Sequence, residues 1–162
     1  MTIIMNKKRV AIIGAAGFLG SRLSARFTKS KILQTRCDIS FIDKSDINTY
    51  LDVEDIGSFN QLEDVGTIIN LAAVHRDDIR PISRYDDVNV EGARNVCNAA
   101  IKHGINKIIF TSSVAVYGFA LANTDESGEP NYFNDYGRTK YLAEQIYKDW
   151  QGQDPDNRTL VI

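Results

Sequence analysis

The sequence is poor in cysteine, with two in 162 residues. Cys37 and Cys97 stand far apart, in neither C-x-x-C nor metal-ligand spacing. That pattern argues against a disulfide scaffold or a metal centre and points to a reduced, cytoplasmic chain. An excess of positive charge is also missing: 19 Lys and Arg against 21 Asp and Glu leave a net charge of −2. No basic surface therefore argues for nucleic acid or an anionic membrane as partner. Long apolar runs are lacking too, since no segment approaches the ~20 apolar residues that span a bilayer. Lys7-Lys8-Arg9 followed by VAIIGAAGFLG has the outline of a signal peptide. Its regularly spaced glycines and the charged segment SRLSARFTKSK that follows point instead to strand, turn and helix. Low-complexity tracts, internal repeats and an obvious linker are absent. What remains is a length and a 43% hydrophobic, 25% charged composition that suit one globular domain with a real core.

Short apolar runs alternate with helical patterns. Strands are expected at 9–13 (RVAII), 37–42 (CDISFI), 49–53, 67–72 (TIINLA), 107–112 (KIIFTS) and, opening at the end of the chain, 159–162 (TLVI). Helices are expected at 18–29, near 55–62, at about 82–103 with His103-Gly104 as its C-cap, and at 137–151. Strands that are apolar throughout are buried on both faces. Interleaved with helices and joined by right-handed crossovers, they predict an α/β fold: a doubly wound parallel sheet of Rossmann type with helices on both faces. The chain stops inside an apolar run with neither cap nor tail, so it reads as truncated after the start of the sixth strand. A cut there would leave a strand edge and a sheet face open to association.

Between the first strand and first helix lies Gly14-Ala15-Ala16-Gly17-Phe18-Leu19-Gly20. Such a turn needs backbone freedom at Gly14, a bare backbone near Gly17 where a pyrophosphate would lie, and close helix–sheet packing at Gly20. The following helix N-terminus presents free N–H groups to phosphates. A glycine-rich turn without a ligand is the alternative, and its position after a strand and before a helix favours the dinucleotide. Asp43, at the end of the expected second strand, is placed to accept hydrogen bonds from both adenine-ribose hydroxyls. Its charge would repel a 2′-phosphate, favouring NAD over NADP, while Arg36 and Lys44 keep NADP as the alternative. Asp43 as a plain exposed aspartate is the other reading.

G-A-A-G-F-L-G at 14–20, L-D-V at 51–53, N-L-A-A at 70–73, D-V-N-V-E-G at 87–92, F-T-S-S-V-A-V-Y-G at 110–118 and Y-G-R-T-K at 136–140 follow in order. In this the chain resembles the N-terminal, cofactor-binding part of the extended short-chain dehydrogenases/reductases, in the NAD-dependent nucleotide-sugar epimerase/dehydratase branch. The resemblance implies a single NAD(P)-binding Rossmann domain over 1–162, without the C-terminal substrate-binding lobe that supplies most nucleotide-sugar contacts. It places Phe18 and Leu19 along the pyrophosphate turn, Asp52 and Val53 at adenine, and Leu71, Ala72 and Ala73 against the cofactor. Asn89 would steady the active-site strand and near the cofactor. His75 matches a cofactor-contacting cation of some members, with a solvated loop histidine as the other reading.

In register with the family, Ser113 is the catalytic hydroxyl, Tyr136 the acid/base and Lys140 its partner, with Tyr136 and Lys140 also touching the cofactor. Ser112 is expected to bond the backbone of its turn. A tyrosine with an ordinary pKa of ~10 is a poor base at neutral pH. An ammonium one helical turn away, together with the nicotinamide charge, favours the phenolate. Tyr136 can then take the proton of a sugar hydroxyl as hydride leaves the same carbon, with Ser113 hydrogen-bonding the oxygen. Dehydratases of the family carry an Asp-Glu pair directly after the catalytic serine or threonine. Here Val114-Ala115 stand in those places, which favours an epimerase, or a reductase/dehydrogenase, over elimination. A dinucleotide-binding module without turnover is a reading of another class. The helices near 82–103 and 137–151 are those through which family members pair, and their apolar faces serve equally for a homodimer bundle or for packing on the sheet.

Overall fold

The computed structural model describes residues 8–42 and 45–162. Six strands form one parallel sheet in the order β3-β2-β1-β4-β5-β6. They are β1 Arg9–Ile13, β2 Gln34–Asp38, β3 Asn48–Tyr50, β4 Val65–Asn70, β5 Lys107–Phe110 and β6 Thr159–Val161. The chain winds outward from β1 in one direction and then from β4 in the other. The topological switch therefore lies between β1 and β4, where Ile13 stands beside Asn70. Crevices outside the carboxyl ends of strands at such a switch are where ligands bind in open α/β sheets.

Helix α1 (Phe18–Lys29) packs beside β1 and β2. The expected helix at 82–103 is present in three phases: an opening turn α2 (Ser83–Tyr85), a π-helical segment (Asp86–Glu91) and a regular stretch α3 (Gly92–His103). Gly104, in the left-handed region at φ +62, ends α3 by donating to the carbonyls of Ala100 and Ile101. Helix α4 (Asp135–Gly152) opens under the side chain of Asn134, which accepts from the Gly137 N–H at 2.8 Å. Ala93, Val96, Cys97 and Ala100 of α3 meet Ala143, Tyr147 and Trp150 of α4 in the buried cluster over Ile68, Ile108 and Phe110. A 3₁₀ turn at Ile56–Gln61 occupies the place of the expected helix near 55–62.

The second strand corrects the sequence reading. It runs over Gln34–Asp38 rather than 37–42. Gln34 and Thr35 are buried although polar. The Gln34 amide nitrogen donates to the Ser24 carbonyl and the Thr28 hydroxyl of α1, each at 3.0 Å, while its buried Oε1 has no partner among the described residues. The apolar ISFI segment that suggested a strand is instead largely outside, with Ile39 64% and Ile42 90% exposed. The carboxylate that closes β2 is thus Asp38; Asp43 and Lys44 lie outside the described residues.

Candidate active site

A cleft of about 780 Å³ runs over the carboxyl ends of β1, β2, β4 and β5. One end is built from backbone. Gly14 sits at φ +81, and a Cβ there would come within 2.9 Å of the Ala72 nitrogen, so only glycine lets the turn approach the segment after β4. At Gly20 a Cβ would fall 2.2 Å from the Gly14 carbonyl oxygen, which is how α1 starts so close beneath the turn. Gly17 is the N-cap residue of α1, with no side-chain cap and no acidic residue in the first turn. The open N–H groups and bare backbone fit a pyrophosphate. Gly14, Gly17, Phe18, Leu19 and Gly20 all line the cleft.

Asp38 also lines it, and is the residue the sequence reading missed. One carboxylate oxygen accepts from the Ala16 N–H at 2.9 Å, and the other from Ser40 N–H and Oγ at 3.0 and 2.8 Å. With about four acceptor positions on a carboxylate and three of them taken, capacity remains for one hydroxyl on the oxygen that faces Ala16. Its signal was an acidic residue after a strand, hidden because the strand was placed too late. Beyond it, Asp52 and Val53 line the cleft on the β3 side. Glu54 and Arg84 lie at the rim as a two-bonded ion pair, at 2.5 and 2.8 Å.

The other end is built from side chains. Leu71, Ala72, Ala73, His75, Thr111, Ser112, Tyr136 and Lys140 line it. Tyr136 is half-buried in the first turn of α4. Lys140, one turn on, is 3% exposed. Its Nζ donates to the Thr111 carbonyl at 2.5 Å and stands 4.3 Å from the Phe110 ring centroid and 5.9 Å from that of Tyr136. Burial pulls its ammonium down from 10.5 to about 8, against which the Glu144 charge acts. Gly137 lets α4 lie against the turn after β5, because a Cβ there would meet the Ala115 carbonyl oxygen at 2.3 Å.

Ser113 is half-buried beside the cleft, outside its lining. Its Oγ accepts from the Ala115 N–H at 3.1 Å, which leaves the hydroxyl proton to donate elsewhere. Ser112 does not bond the backbone of its turn as expected; it donates to the Glu144 carboxylate at 2.5 Å. Asn89 is buried behind the cleft wall rather than in it. Its amide oxygen accepts from Val74 N–H at 2.8 Å, and its nitrogen donates to the Val74 carbonyl and Thr139 Oγ1 at 2.9 and 3.0 Å. The asparagine thus fixes the segment after β4 to α4.

The sequence over residues 10–161 matches the NAD dependent epimerase/dehydratase family. The chain belongs to that family. Among its relatives, the N-acetyl-alpha-D-glucosaminyl-diphospho-ditrans,octacis-undecaprenol 4-epimerase of Escherichia coli O157:H7 is 40% identical over 94% of this chain and 46% of its own length. The chain therefore spans less than half of that relative. In fold it is similar to a short-chain dehydrogenase/reductase superfamily protein from Agrobacterium tumefaciens with bound NAD (TM-score 0.85, 23% identity, 95% of this chain and 48% of that one). It is also similar to the UDP-glucose 4-epimerase of Brucella ovis in complex with NAD (TM-score 0.83, 22% identity, 94% of this chain and 50% of that one). The Rossmann-type sheet expected from the sequence is the fold of these neighbours.

Proposed function

We propose that this chain is the cofactor-binding, proton-transferring part of a 4-epimerase acting on a sugar diphosphate, with NAD as its cofactor and Ser113, Tyr136 and Lys140 as its working groups. The observation that carries the reading is that Tyr136 and Lys140 open into the same cleft as the glycine turn. When bound there, NAD would supply hydride acceptance and return at its nicotinamide. The chain's own residues do the rest. Gly14, Gly17 and Gly20 clear the backbone for the pyrophosphate, with Phe18 and Leu19 alongside. Asp38 takes the ribose-reading role expected of Asp43, and its negative charge disfavours a 2′-phosphate. Asp52 and Val53 flank the adenine position.

Tyr136 removes the proton from the sugar hydroxyl and gives it back after the keto sugar has turned over. Ser113 donates its free hydroxyl proton to the reacting oxygen. Lys140, held against the Thr111 carbonyl, favours the phenolate by its positive charge and reaches toward the nicotinamide ribose. Val114, 84% exposed, and Ala115 offer no acid for water elimination, which supports epimerisation over dehydration.

The substrate carrier has two readings. A nucleotide-linked sugar fits the UDP-glucose 4-epimerases among the relatives, such as that of Rhizobium meliloti (strain 1021), 26% identical over 90% of this chain. A polyprenyl-diphosphate-linked sugar fits the Escherichia coli relative at 40% identity. The test is turnover of UDP-sugars and of a polyprenyl diphospho-sugar by the whole enzyme, with Tyr136→Phe alongside. The variant is expected to lose roughly 10²–10⁴-fold in kcat while keeping its cofactor. Undiminished turnover by Tyr136→Phe would overturn the assignment. Net accumulation of reduced cofactor would favour a dehydrogenase instead.

A further inference from the structure

The working groups sit on two separate elements: Ser113 on the turn after β5, and Tyr136 and Lys140 on α4. Besides Lys140, which bonds the Thr111 carbonyl, a second side chain of α4 reaches the segment after β5. Glu144, one helical turn beyond Lys140, is half-buried and accepts from Ser112 Oγ at 2.5 Å. Ser112 immediately precedes Ser113, whose Oγ caps the 3₁₀ turn Val114–Val116. That turn already lies against the start of α4 at Gly137. The second Glu144 oxygen faces Lys148, whose Nζ is 3.5 Å away in solvent. Tyr117 approaches the carboxylate from the loop beyond the turn, its phenol pushed up by burial first and by the Glu144 charge second. Around Lys140 the partners from β5 and its turn are uncharged: the Phe110 ring and the Thr111 carbonyl. Its own helix brings Tyr136 and Glu144, and Glu144 is the charge that bears on it.

We propose that Glu144 is a positioning residue that clamps the Ser113 turn onto α4 through Ser112 and keeps the buried Lys140 in its ammonium form by its charge. This rests on the reading of Ser113 and Lys140 given above. Burial drives Lys140 toward neutrality near physiological pH, and a carboxylate one turn away opposes that loss.

The two halves of the proposal separate in the chain itself, without cofactor or turnover. Nuclear magnetic resonance of 13Cε-labelled lysine follows the Lys140 titration, and amide exchange at Ala115 reports the turn. Glu144→Gln keeps an acceptor for Ser112 and loses the charge. It should move the Lys140 midpoint below about 8 and leave Ala115 exchange within twofold. Glu144→Asp keeps the charge but falls a methylene short of Ser112. It should hold the midpoint and raise Ala115 exchange severalfold, as should Ser112→Ala.

An unchanged Lys140 midpoint in folded Glu144→Gln overturns the electrostatic half. Unchanged Ala115 exchange in Ser112→Ala overturns the clamp. Should Glu144→Gln fail to fold, Glu144→Ala carries the charge half, since an unchanged Lys140 midpoint in that variant would overturn it equally. Failure of the underlying reading has a different signature, namely undiminished NAD affinity in Lys140→Met.

Discussion

The two ends of the cleft are built by opposite means. At the pyrophosphate turn the chain makes room by leaving side chains out, and the donors are backbone N–H groups of α1 that any helix start would possess. At the other end it inserts a lysine into the interior, only 3% exposed. The first solution costs little in the folded state, and the second costs a desolvated charge. The difference teaches where substitutions should hurt binding and where they should release stability.

The sharpest break is at Gly20. A Gly20→Val chain must push apart α1 and the Gly14 turn, since its Cβ would lie 2.2 Å from one carbonyl oxygen and 2.6 Å from the Ala15 Cα. A loss on the order of 3–4 kcal/mol in urea unfolding is expected, with NAD binding abolished. Wild-type stability and affinity in this variant would show that the turn is not a tight cradle.

Lys140→Met probes the opposite end and should have the opposite sign. The Lys140 pKa is depressed in the folded chain from 10.5 to about 8, so between those pH values the unfolded state holds a proton that the folded one has lost, and below pH 8 the full cost of protonating the buried amine is present. That mismatch costs the folded state on the order of 3 kcal/mol below pH 8 and vanishes above about pH 10.5. Lys140→Met should therefore be the more stable chain at pH 7, while binding NAD less well. The advantage should shrink as pH rises through 8 toward 10.5. Melting curves of both chains at pH 7, 9 and 10.5 check it, and a difference independent of pH would sink the idea of a strained charge.

Two smaller effects sharpen the contrast. Asp38→Asn keeps the shape but removes the charge proposed above to read the ribose. A weakening of NAD binding by about tenfold, near 1.4 kcal/mol, is expected by calorimetry, with NADP discrimination reduced. An unaltered NAD/NADP ratio would remove Asp38 from that role. Arg84→Gln breaks the rim ion pair with Glu54, whose partners are 40% and 31% exposed. An exposed pair of this kind contributes less than about 1 kcal/mol, so stability and NAD affinity should both stay close to the parent.

Which parts were legible in the sequence follows the same division. The glycine turn and the Tyr136–Lys140 spacing were readable because each feature depends on residue type at fixed local separation. The six-strand parallel architecture was readable from apolar runs. The start of β2 was not, because Gln34 and Thr35 are polar, and α1 supplies acceptors for the Gln34 amide nitrogen only once the chain is folded. The neighbouring Ile39 and Ile42 mimic a buried strand yet are exposed, so the strand was placed too late and Asp38 at its end was not considered. The bond between Ser112 and Glu144 spans 32 residues and has no local signature at all. The π-helical segment was hidden for another reason: the apolar spacing on either side is ordinary, and the irregularity lies only in how the two stretches are phased.

That segment has a consequence for the chain's tolerance of length changes. Each residue of a regular helix turns the next by about 100°, so a surplus residue within one would swing everything beyond it off its face. Here the surplus is absorbed between Asp86 and Glu91. Tyr85, tied to the Arg76 carbonyl, and Ala93, seated on the sheet, each keep their own orientation. Asn89 sits in the wide turn between them. Deleting one residue there would restore an unbroken α-helix and put its two ends in competition, forcing the helix to surrender either its anchor beside the cleft or its seat in the core.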